Sequence, residues 1–554
     1  LGSNTTANNN TAVGTCALYA NTTGTMNNAF GFKALVANTC GSQNTASGAY
    51  ALATNTTGAN NTAVGNVALY ANTTGAKSTA IGTKSLYTNT TGCRNTASGY
   101  VALKLTTTGC DNTASGAYAL MANTTGGKNT AVGLCALHSN TTADYNTGIG
   151  WRALMANTTG CNNTAFGVAT LLCNTTGKVN TGSGSYALKN NTTGCNNTGY
   201  GFRSLCLNTS GKCNTASGGY SLLLNTTGCF NTATGSYALH ANTTASNNTA
   251  VGGCSLYANT TGTDLVAVGF KSLVANTCGK LNTASGAYSM VSNTTGGCNT
   301  AYGYGSLHDN TTADFNTGVG VCAAFNTTTG YDNTVVGFKS LFSNTTGIRN
   351  TASGKYALRD NTTGQKNTAI GTYALMKNTT ASYNTGSGTY SLYNNTTGND
   401  NTASGYKALF CNTTASYNAA FGKNTLKVNT TGTKNTALGT FSLLSNSTGN
   451  FNTASGYRAL QANTTGTLNT ASGTYALKAN TTGNCNAAYG ACTLYDNTTG
   501  CFNVAVGDSA LSNNTTANYN TAVGAFTLLS NTTGTQNTAS GFATLKANTT
   551  GTEN

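Results

Sequence analysis

Cysteines, histidines, carboxylates and a recurring Asn-Thr-Thr triplet are the residues of this 554-residue chain that can do chemistry. Nineteen cysteines are present. Cys93 and Cys110 lie 17 residues apart, and Cys485 and Cys501 lie 16 apart. In segments stacked about 4.8 Å apart, such neighbours fall within the Cα separation that a disulfide spans. Cys93–Cys110 and Cys485–Cys501 are therefore candidate disulfides. Isolated cysteines such as Cys135 and Cys322 read as replacements for Ser or Thr. His138, His240 and His308 are far apart, the acidic residues are scattered, and no four-ligand cluster forms. The chain reads as non-enzymatic, with no metal and no cofactor.

Asn-Thr-Thr matches the acceptor pattern for N-linked glycans. Candidate acceptors are Asn21, Asn55, Asn72, Asn123, Asn157, Asn293, Asn463 and Asn531. The third residue is Thr almost throughout, and its variants Ser210, Cys40 and Cys278 also suit an acceptor. The middle Thr is equally regular, although glycosylation does not require it. A structural reading, an Asn turn flanked by ladders of Thr, therefore stands beside the glycan reading.

All these residues sit on one period. Asn4, Asn21, Asn38 and their successors to Asn548 open repeats of 17 residues, thirty-two steps without insertion or deletion. Numbered from that Asn, position 11 is always Gly. Position 15 is Leu except at Met290 and Ala324, and position 14 is Ala, Ser or Thr. Position 9 is Ala or Gly except at Val335, and position 7 is Asn except at Ser78 and Leu265. A strict phase fits a solenoid in which each repeat is one coil stacked on the last. Residues 1–554 read as a single continuous solenoid. The chain starts and stops inside the repeat, so no capping coil is expected in it, and it reads as a segment of something longer or one whose ends neighbours cover.

Helix is excluded by the Gly, Asn and Thr content. The expected fold is all-β, a β-solenoid (β-roll or β-helix) of about 32 coils with parallel strands. At about 4.8 Å per coil it would reach roughly 150 Å. In one representative repeat, Asn129-Thr130-Ala131-Val132 is one strand, Gly133 ends it, and Leu134-Cys135-Ala136-Leu137-His138 is a second. Asn-Thr-Thr-Gly is a turn. Leu at position 15 supplies the apolar ladder, and Asn at positions 1 and 7 can form amide ladders.

Position 10 is often apolar, as at Val13, Phe30, Ile81, Phe166, Tyr200 and Leu438, and Ser in other coils. Such a stripe needs cover, either from a second layer of the same coil or from another chain. Position 13 is basic at Lys33, Lys84, Arg152, Arg203, Lys271, Lys339, Lys407 and Arg458, at gaps of 51 or 68 residues. Candidate interchain contacts are Phe30, Lys33, Arg152, Phe166, Arg203, Lys271 and Lys339.

Composition narrows the partners. Only 7% of residues are charged, against roughly 25% in ordinary domains. The net charge of +15 is spread thinly, without a basic cluster, so no nucleic acid partner is expected. No apolar run is long enough to span a membrane.

Asn61-Thr62-Ala63-Val64-Gly65-Asn66-Val67-Ala68-Leu69 resembles the head repeats of trimeric autotransporter adhesins and is similar to repeats of phage and viral tail fibres. That resemblance implies an extracellular, cell-surface or virion-surface fibre used in attachment or assembly. The adhesin coil is shorter and is wound from three chains; here Asn-Thr-Thr-Gly is added. The expected function is a self-assembling structural fibre subunit, adhesive and glycosylated, whose partners are itself and glycans or a host or cell surface. The alternatives are the shaft or head of a trimeric adhesin or tail fibre, and an ice-binding solenoid. Ice binding wants Thr at alternate positions of one flat strand, whereas the turn's two Thr are adjacent and position 10 is Thr only at Thr234.

Overall fold

A computed structural model describes residues 2–554. Each repeat forms one coil and contributes one three-residue strand, at positions 8 to 10. The chain divides into two units, Leu1–Cys278 and Gly279–Asn554. The first carries β1 (Thr11–Val13) through β16 (Val266–Val268), and the second β17 (Thr283–Ser285) through β32 (Thr538–Ser540). Within each unit successive strands pair in parallel, every residue opposite its counterpart one repeat on: Thr130 faces Thr147, Ala131 faces Gly148 and Val132 faces Ile149. The fold is the all-β solenoid of 17-residue coils that the period implies.

The interior is half apolar and half amide. Strand alternation turns Ala131 inward and Val132 outward. Leu137 and Ala136 are fully buried beside it. The Asn ladders form as the repeat implies. Asn157 Nδ2 donates to Asn140 Oδ1 at 2.8 Å and to Gly160 O at 2.9 Å. At position 7, Asn146 N–H donates to Asn129 Oδ1 at 2.9 Å, and Asn146 Nδ2 donates to Gly160 O at 3.0 Å. Buried amides are tolerable only when paired, and here Asn140 and Asn157, like Asn129 and Asn146, pair from coil to coil.

The second strand expected at Leu134–His138 does not form. The segment is a continuous turn, because Cys135 (φ 57°) and Leu137 (φ 50°) are left-handed. In a strand, adjacent side chains point to opposite faces. Left-handed residues at alternate positions break that rule, so Ala136 and Leu137 both face the core. The coil still bonds to its neighbours there: Cys135 N–H donates to Ala117 O at 3.1 Å and Leu137 N–H to Ala153 O at 2.9 Å.

Left-handed backbone recurs at positions 6, 13 and 15 of the coils. For an ordinary residue it costs roughly 1–2 kcal/mol, and most for a β-branched one. That explains why position 15 is Leu, Met or Ala and never Val or Ile. It also excludes proline from these three positions, since a φ near −65° fits none of them. Val179, at position 6 with φ 58°, breaks the pattern where Asn162 and Asn196 keep it. Val179→Asn should therefore raise stability by about 1 kcal/mol, measurable as slowed hydrogen exchange in that coil.

Candidate functional site: three ranks of exposed side chains

Stacking repeats a side chain every coil, so each outward position becomes a rank. The first lies on the strand face. Thr at position 8 and the varied residue at position 10 both point outward. The apolar members of position 10 stand open: Val13 is 57% exposed, Phe166 43% and Tyr200 48%. Of the two covers left open for this stripe, a second layer of the same coil is excluded. No charged residue occupies positions 8 to 10 in any coil.

The second rank is aromatic and basic, built from positions 12, 13 and 16. Gly at position 11 turns the chain off the strand face. The next residues then present rings and cations beside those of adjacent coils. Tyr373 and Tyr390 stack with centroids 5.0 Å apart, and Tyr393 stacks on Phe410 at 5.3 Å. Lys33 Nζ lies 5.3 Å from the Phe32 centroid and 5.6 Å from that of Tyr50. Arg152 lies over Trp151 at 4.5 Å, Arg203 over Phe202 at 5.4 Å, Lys271 over Phe270 at 5.3 Å and Lys339 over Phe342 at 5.3 Å. The basic members of the interchain set thus rest on rings of their own chain. Each of these five cations follows an aromatic residue at position 12: Phe32, Trp151, Phe202, Phe270 and Phe338. Phe30 and Phe166 stand apart on the strand face. Tyr186, Lys189, Arg203 and Cys206 line an open groove of about 370 Å³.

The third rank runs along positions 5 and 6. The position 6 N–H bonds to the previous coil's position 5 carbonyl, as Lys128 does to Cys110. The position 5 N–H takes a side-chain acceptor from the next coil: Gly127 N–H to Asp144 Oδ1 at 2.6 Å, Gln365 N–H to Ser382 Oγ at 3.0 Å, and Asn484 N–H to Cys501 Sγ at 3.2 Å. Cysteine here does the work of Ser, Asp or Asn. Position 6 side chains stack on one another, as Phe502 on Tyr519 at 5.2 Å.

These ranks sort the candidate disulfides. Cys93 and Cys110 both occupy position 5, and their Sγ atoms touch at 3.1 Å as free thiols. Cys485 occupies position 6 and Cys501 position 5, so the 16-residue offset puts them at different positions of the coil rather than in register; both are free thiols. Cys501 instead engages Asn484 N–H and Thr499 O.

The acceptor reading of Asn-Thr-Thr gives way to the structural one. Asn21, Asn55, Asn72, Asn123, Asn157, Asn293, Asn463 and Asn531 are completely buried. Each Nδ2 donates to the carbonyl three residues on, as Asn21 to Gly24, Asn55 to Gly58 and Asn531 to Gly534. Most also donate to the position 1 Asn before, at 2.7 Å for Asn55, Asn72 and Asn463. A glycan on that nitrogen is incompatible with the folded coil. The adjoining Thr hydroxyls are also engaged: Thr124 Oγ1 donates to Thr141 O at 3.1 Å.

His138, His240 and His308 remain separate. Burial pushes the His138 and His240 imidazoles below the ordinary histidine range. His308 Nδ1 lies 2.6 Å from Asp309 Oδ1. Among the described residues no cluster of metal-ligating side chains occurs, and no helix is long and apolar enough to cross a membrane. Neither family models nor curated proteins gave a match to the chain.

Proposed function

We propose that this chain is a structural, non-enzymatic segment of an extracellular, cell-surface or virion-surface fibre that assembles with copies of itself through the strand face. The observation that carries this reading is the exposed apolar rank at position 10. Covering one half-exposed Val or Phe contributes about 1 kcal/mol, whereas association costs roughly 4–15 kcal/mol. One contact is too little, but the apolar members that recur along the rank between its Ser coils are together enough. A partner can meet every member of that rank only if it has the same repeat of about 4.8 Å, and a second copy has it. The face carries no charge, so two copies meet without repulsion. The Asn-Thr-Ala-x-Gly phrase, similar to that of adhesin heads and tail fibres, points the same way, and attachment to a host or cell surface is the role it suggests.

The test replaces Phe30, Phe166 and Tyr200 by Ser, which position 10 already accepts at Ser47 and Ser98. The variant should keep its circular dichroism and lose self-association by tenfold or more in sedimentation, about 1.4 kcal/mol or more. Unchanged association would sink the proposal.

One observation favours ice binding as a second reading. Thr at position 8 forms an unbroken outward rank from Thr45 on β3 (Thr45–Ser47) through Thr147 on β9 (Thr147–Ile149) to Thr249 on β15 (Thr249–Val251). This rank lies on the strand rather than the turn and supplies one Thr per strand, at position 8, with Ser, Val or Ile at position 10 beside it on β3 to β9. Phe30 protrudes before it, and Phe166 and Tyr200 protrude beside it. A thermal hysteresis assay with no activity removes this reading.

A further inference from the structure

The amide ladder at position 1 has a fault at Thr106, where Thr replaces Asn. Asn89 Oδ1 is left buried with no hydrogen-bond partner. On the other side, Asn123 Nδ2 reaches Thr106 Oγ1 only at 3.4 Å. Elsewhere the same bond measures 2.8 Å, as between Asn157 and Asn140.

The coil step that lacks this bond carries two others. Asn89, Cys93 and Arg94 belong to one coil, and Thr106, Cys110 and Asp111 to the next. Across that step the Cys93 and Cys110 sulfurs are in contact at 3.1 Å. Cys93 N–H donates to Cys110 Sγ at 3.2 Å. Arg94 forms a two-pronged ion pair with Asp111, Nε–Oδ1 2.6 Å and Nη2–Oδ2 2.8 Å. Both thiols are partly exposed, so a small oxidant can reach them. We propose that Cys93 and Cys110 are an oxidation site, closing to a disulfide that clasps the one step where Asn89 has lost its ladder partner.

The oxidant required is a low-molecular-weight disulfide. One thiolate attacks a sulfur of that disulfide, which releases one small thiol and leaves a mixed disulfide. The second cysteine thiolate attacks the protein sulfur of the mixed disulfide and releases the second small thiol. The two cysteines lose two protons and two electrons in all, and the small disulfide takes them up as two thiols. The Cys93 thiol is held above the ordinary cysteine range, first by its hydrogen bond with Cys110 and then by burial. Only the thiolate attacks, so closure should speed up as the pH rises into the alkaline range.

The chain is incubated with oxidised glutathione, alkylated, digested and analysed by mass spectrometry. The expected result is a Cys93–Cys110 cross-linked peptide under conditions that leave Cys135 and Cys161 alkylated. Cys93 and Cys110 alkylated as fully as Cys161, or joined to other cysteines, would overturn the proposal. A second readout tests the clasp. Oxidation should slow proteolytic nicking between residues 89 and 110 by roughly tenfold or more. The Cys93→Ser/Cys110→Ser variant, which keeps an acceptor oxygen at position 5, should lose that redox dependence. Thr106→Asn should shrink it by restoring the ladder bond. Nicking that ignores oxidation in the native chain, or depends on it equally in the double Ser variant or in Thr106→Asn, contradicts the clasp.

Discussion

Gly133→Ala is expected to remove about 3 kcal/mol or more of local stability and to open the coils that flank it. Gly133 has φ 127°, a conformation that residues with a side chain essentially never hold. An added Cβ would also lie 2.6 Å from Gly150 O in the next coil. That obstacle is backbone, so no side chain can swing aside. Gly133 cannot retreat either, because its N–H is bonded to Ser115 O at 2.8 Å. Gly219→Ala is the matched control: an added Cβ there meets nothing within 4 Å, and the change should be neutral or slightly stabilising. Stacked repeats can open locally, so the measurement is hydrogen exchange resolved to the coil rather than one melting temperature.

The second large effect is expected at the amide ladder. Asn157→Ala removes the donor to Asn140 Oδ1 and the acceptor for Asn174 Nδ2, both at 2.8 Å. Asn140 Oδ1 is orphaned at roughly 1–3 kcal/mol, while Asn174 Nδ2 loses one acceptor and keeps Gly177 O at 3.0 Å, so a loss of about 2–4 kcal/mol is expected. Gly160 O is spared because Asn146 Nδ2 also reaches it. Asn157→Asp separates the role of the donor from that of shape. A carboxylate buried against Asn140 Oδ1 has its folded pKa raised above the unfolded value. Its stability is therefore fully present below the unfolded pKa and is lost as pH rises through the folded one. The Asp variant should approach the native chain in acid and fall towards the Ala variant at neutral pH, in urea titrations at each pH. A pH-independent Asp variant would show that the amide hydrogens are not what holds the ladder.

What was legible in the sequence was whatever stacking superposes. Gly133, Leu137, Asn140 and Asn146 recur at fixed positions because each meets its own copy one coil away, so the period alone reveals the solenoid, its inward residues and its amide ladders. Local backbone shape was not legible. The turn at Leu134–His138 depends on left-handed Cys135 and Leu137, and neither residue type announces that conformation as Gly or Asn does. The one available sign was negative: position 15 admits Met290 and Ala324 but no β-branched residue.

Sites were harder to read than fold. Asn-Thr-Thr looks like an acceptor motif because an acceptor and a buried amide ladder can use the same residues. The clue against it was position 7, where Asn is equally fixed, as at Asn129 and Asn146, yet is followed by Thr-Ala or Thr-Gly rather than by an acceptor pattern. The offset of 16 rather than 17 between Cys485 and Cys501 likewise separates two positions whose directions only the turn geometry reveals. The spacing of Cys93 and Cys110 was legible, but its link to the fault at Thr106 was not, because Asn89 and Thr106, like Arg94 and Asp111, face each other only through stacking.

The central claim is that the strand face joins one copy of this chain to another. Electron microscopy of the purified chain across a concentration series tests it most directly. Filaments or bundles containing many chains, with layer spacing of about 4.8 Å and strand faces turned towards each other, are the expected result. Dispersed particles of single-chain mass at every concentration, or assemblies in which the position 10 rank faces solvent, would contradict it.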